Sequence, residues 1–116
     1  MMGPALFAAL CVAAPADDPA VFAVIVGNNA SDGGELADLR YADDDAARYY
    51  ELFSLTEGRV EILSVLDADT QRLHPQVAAV ARVPREEELD AALSAVFEDV
   101  RRLRDAGRRT VFHFIY

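Results

Sequence analysis

The sequence predicts an α/β domain, a three-layer sandwich on a mainly parallel sheet, with elements in the order β-α-β-α-β. Three observations carry this expectation. Val21 to Val26 is a continuous run of mostly β-branched residues with no alternation, which suits a strand buried on both faces. Apolar spacing turns helical twice between strand-like runs, and a crossover helix between strands implies parallel pairing. The chain has 116 residues, so one short domain is the ceiling, since domains usually run ~100–150 residues.

The elements follow in order. Gly27-Asn28-Asn29 closes the first strand, and Gly33-Gly34 marks a turn in the loop that runs to Asp38. From Tyr41 the spacing is helical, with Ala42, Ala46, Tyr49, Tyr50 and Phe53 on one expected stripe. Asp43, Asp44 and Asp45 stand at its start, where carboxylates meet free N–H groups and the positive dipole end. Thr56-Glu57-Gly58 ends the helix, and Val60 to Leu66 is the second strand. Asp67 to Pro84 reads as a polar loop broken by Pro75 and Pro84, with a short helical turn around Gln76 to Ala81. Pro84 then opens a long helix, Arg85 to Ala106, with Leu89, Leu93, Val96, Phe97, Val100 and Leu103 as its apolar stripe. Gly107 stops it, and Thr110 to Tyr116 is the third strand.

Composition excludes several classes. With 20 acidic and 11 basic residues the net charge is −9, which argues against nucleic acid or an anionic membrane as partner. A single cysteine, Cys11, allows no disulfide framework and no Cys-rich metal site. Residues 1–16 read as a signal peptide. Their apolar core is too short for the ~20 residues of a spanning helix, and Ala14-Pro15-Ala16 has the small-x-small form of a cleavage site. That segment contains no Lys or Arg. Export to the periplasm or exterior is expected if the signal is real, and a cytoplasmic location otherwise.

The ligand edge of such a sheet lies beyond the carboxyl ends of its strands. Gly27-Asn28-Asn29 there lacks both common phosphate-loop spacings. Three adjacent Asp on a helix diverge by about 100° each and cannot chelate together, so no metal or cofactor is expected. A receiver-like acidic pocket is disfavoured too, since Asn28 and Asn29 end the first strand and the chain has no lysine. His74 sits in a loop and His113 inside a strand, neither with a cysteine partner. Ser31, Ser54, Ser64 and Ser94 lack a nucleophile-elbow context. Tyr41, Tyr49 and Tyr50 read as packing residues.

Three stretches together resemble one family. Phe22-Ala-Val-Ile-Val-Gly-Asn-Asn29, Leu39-Arg-Tyr-Ala-Asp-Asp-Asp-Ala-Ala-Arg48 and Val65-Leu-Asp-Ala-Asp-Thr70 are similar to the start of bacterial caspase-like peptidases, of the caspase and metacaspase superfamily of cysteine endopeptidases. The resemblance covers about residues 20–116 and implies a peptide or protein substrate. It implies a catalytic histidine, as general base, in a Ser-Gly-His-Gly motif after the third strand, and a nucleophilic cysteine after the next strand. Both are expected beyond Tyr116, and His113 lies before the motif. On this reading residues 17–116 are the amino-terminal part of the domain, inactive alone. Asp45, before Ala46, matches the metacaspase aspartate that receives a basic substrate residue. Arg40 is the alternative, for an acidic residue, and fits the caspase pattern less well. The rival expectation is a non-catalytic α/β binding or interaction module. Oligomeric state is left open.

Overall fold

The computed structural model describes residues 18–30 and 39–116. The signal segment, Cys11 and the Gly33-Gly34 turn lie outside the described residues. The described chain is an α/β fold with a three-stranded, all-parallel, open sheet. Its elements are β1 (Ala20–Val26), α1 (Ala42–Phe53), β2 (Val60–Leu63), α2 (Ala68–Leu73), α3 (Pro75–Ala78), α4 (Glu86–Asp105) and β3 (Thr110–Ile115).

Strand order is β2-β1-β3, so the first strand is the central one. β1 pairs with β2 from Ala23 opposite Val60 to Val26 opposite Leu63, and with β3 from Ala20 opposite Thr110 to Ile25 opposite Ile115. Both faces of β1 are covered, which explains why its sequence does not alternate. Ala23 and Ile25 face α1 and α3, with Ile62, Ala46, Ala47 and Val77. Phe22 and Val24 face α4, with Leu63, Ala92 and Val96. Burying a side chain of this size stabilises by about 1.5–3 kcal/mol relative to exposure.

The two sheet edges differ. The outer edge of β2 is blocked at its end, where Arg82 donates its N–H to the Ile62 carbonyl and accepts from the Ser64 N–H. A charge network lies over the same side: Arg59 contacts Asp99 at 2.7 Å and Glu61 at 3.4 Å, and Arg82 contacts Glu88 at 3.2 Å. Edge charges of this kind discourage further strand pairing. The outer edge of β3 has no strand neighbour among the described residues, and Phe114 stays half exposed.

Several local expectations are corrected. The buried stripe of α1 runs through Asp43, Ala46 and Ala47, with Tyr50 and Phe53 partly buried, while Tyr49 faces solvent. β2 stops at Leu63, where it pairs with Val26 on one side and bridges to Arg82 on the other. The supposed loop after it holds two short helices. Asp67 caps the first by accepting from the Thr70 N–H at 2.8 Å, and Pro75 starts the second. His74 lies between them, its Nδ1–H donating to Glu51 of α1 at 2.7 Å. In α4 the helix begins at Glu86, with Pro84 and extended Arg85 before it. Gly107 follows its end at φ +83°, a left-handed conformation that favours glycine.

One polar atom in the core has no hydrogen-bond partner among the described residues: the buried Oγ of Ser64. Ser64→Ala removes an unsatisfied group without opening a large cavity. Its expected effect on unfolding free energy runs from neutral to a gain of about 1 kcal/mol. Urea unfolding reads this directly, and a clear loss of stability would show that the hydroxyl is in fact engaged.

Candidate functional site

The polar residues after β1 and β2 meet at the carboxyl edge of the sheet. Asn29 is the hub. Its Oδ1 accepts from the Ala42 N–H at 2.9 Å and the Asp43 N–H at 3.3 Å. Its Nδ2 donates to Asp43 Oδ1 at 2.7 Å. The amide orientation follows from these partners, since the reverse would set an oxygen against a carboxylate and N–H groups against N–H groups. Asn29 thereby caps α1 from 13 residues upstream, a role that the residue at the cap position, Tyr41, leaves open.

Asp43 is fully buried, which is rare for an aspartate unless it is paired. Its Oδ1 also accepts from the Asp44 N–H at 2.9 Å, and its Oδ2 accepts from the Asp67 N–H at 2.8 Å. Burial alone pushes the carboxyl up. The Asp67 N–H, the Asn29 amide, the nearby Thr70 hydroxyl and the Asp44 N–H outweigh it, holding the carboxyl below its ordinary 3.8. Beside it the buried Thr70 hydroxyl donates to Asp44 at 3.1 Å, and the Gln71 amide donates to the Leu66 carbonyl at 2.7 Å. One carboxylate thus ties the end of β1, the start of α1 and the start of α2 together.

A cleft of about 430 Å³ opens at this edge. Asn28, Asn29 and Ala30 form one side, Val65, Leu66 and Asp67 another, and Val83, Pro84 and Arg85 close it. The Asn28 amide donates to the Ala30 carbonyl at 2.6 Å, which fixes the turn out of β1. Arg85 is the one cation among the described lining residues, and Asp67 the one carboxylate. The described lining mixes amide, carboxylate, guanidinium and apolar groups. Among the described residues that line the cleft there is no histidine and no cysteine.

Asp45 and Arg40 are both exposed, Asp45 on the first turn of α1 and Arg40 just before it, and neither lines the cleft. His113 lies in β3 with its ring 5.2 Å from that of Phe53. Among the described residues no three His, Cys, Asp or Glu side chains converge as a metal-binding set, and no helix is long and apolar enough to cross a membrane. Asp43 itself was hidden by its neighbours in the sequence: an acid in a first turn reads as a solvated cap. The available signal was its position three and four residues before Ala46 and Ala47, on the face that packs against the sheet.

The chain matches no family model, no curated protein and no solved structure.

Proposed function

We propose that the chain forms the amino-terminal part of a caspase-like cysteine endopeptidase domain. The observation that carries this reading is the meeting of its three motif segments. Gly27-Asn28-Asn29, the Leu39 to Arg48 stretch and Val65 to Thr70 are far apart in sequence, yet Asn29, Asp43 and Asp67 join in one hydrogen-bonded unit. The unit stands where ligands of parallel sheets bind. Among the described residues β3 has no second strand neighbour, which is compatible with the further strand that such a domain requires. In this role the cleft guides the substrate chain, and exposed Asp45 receives an Arg or Lys side chain through a charge-assisted bond. Arg40 is the corresponding group for an acidic residue. On this reading the base and nucleophile belong to a Ser-Gly-His-Gly motif and a cysteine that these 116 residues do not supply, and no hydrolysis is expected of them alone.

The test is the coding sequence beyond codon 116, followed by assay. An in-frame Ser-Gly-His-Gly motif there, and cleavage of Arg- or Lys-containing peptides that thiol reagents abolish, are the expected results. In that longer protein Asp45→Ala is expected to lower kcat/KM for basic peptides at least about tenfold. Thiol-sensitive cleavage by the 116 residues alone, or a longer protein with neither motif nor activity, overturns the reading. The second of those outcomes favours a non-catalytic binding module.

A further inference from the structure

We draw no further inference here: the strongest candidate, the surface groove of about 480 Å³ along the carboxyl-terminal half of α4 lined by Phe97, Val100, Arg101, Arg104 and Asp105, carries nothing because nothing in the structure shows what covers it.

Discussion

Asp43→Ala is expected to destabilise the domain by about 3–5 kcal/mol, because it strands several buried donors at once. The Asn29 amide, the Asp44 N–H and the Asp67 N–H all point at this carboxylate. Asp43→Asn keeps the volume but turns an amide N–H toward at least one of those donors, so an intermediate loss of about 2–3 kcal/mol is expected. The carboxylate also gives the effect a pH signature. Folding lowers the Asp43 pKa, so the folded state takes up its proton less readily than the unfolded chain. The stabilisation is fully present above the ordinary 3.8 and is lost as pH falls through the lower folded value. Urea unfolding from neutral pH into acid reads both effects. The gap between wild type and Asp43→Asn should narrow on acidification. A gap that stays constant would assign the loss to shape rather than to charge.

Gly27→Ala is the second large effect, with an expected loss of about 3 kcal/mol, the upper end of overpacking costs. A Cβ on Gly27 meets the Ala42 carbonyl oxygen at 2.5 Å and the Ala46 Cβ at 2.7 Å. The oxygen belongs to helix backbone and cannot swing aside, so α1 must retreat from the end of β1. Retreat stretches the bonds from the Ala42 and Asp43 N–H groups to Asn29. The glycine is therefore needed for close helix-to-strand approach, not for a phosphate. Denaturant unfolding measures the loss, and a change below about 1 kcal/mol would mean that α1 has more play than this contact implies.

The fold was legible where burial and local chemistry agree. β1 announces itself through an unbroken apolar run, because both its faces are covered. α4 does so through three glutamates in its first turn, arginines in its last and Gly107 after it. Legibility fails where a residue's role depends on a distant partner. The Asn29 cap on α1 crosses 13 positions, and no helical period predicts it. Asp43 is buried only because the Asn29 amide and the Asp67 N–H come to it, so its sequence context suggested the opposite. The two short helices after β2 went unread as a pair because His74 and Pro75 break their period. Asp45 and Arg40 came from a family pattern, and both stand beside the cleft's motif residues in sequence without lining the cleft.

The central place of β1 also bears on how the chain is made. Its partner β3 is the last strand of the described fold, and Ala20 waits for Thr110, 90 positions later. During synthesis β1 emerges first and can pair early only with β2. At about 5–20 residues per second the ribosome leaves its other side open for on the order of ten seconds. Through that interval one edge of the most apolar strand is unpaired, and the face around Phe22 and Val24 lacks α4. The chain therefore has a vectorial bottleneck: its core is seeded at the start of translation but sealed only when Ile115 has left the exit tunnel.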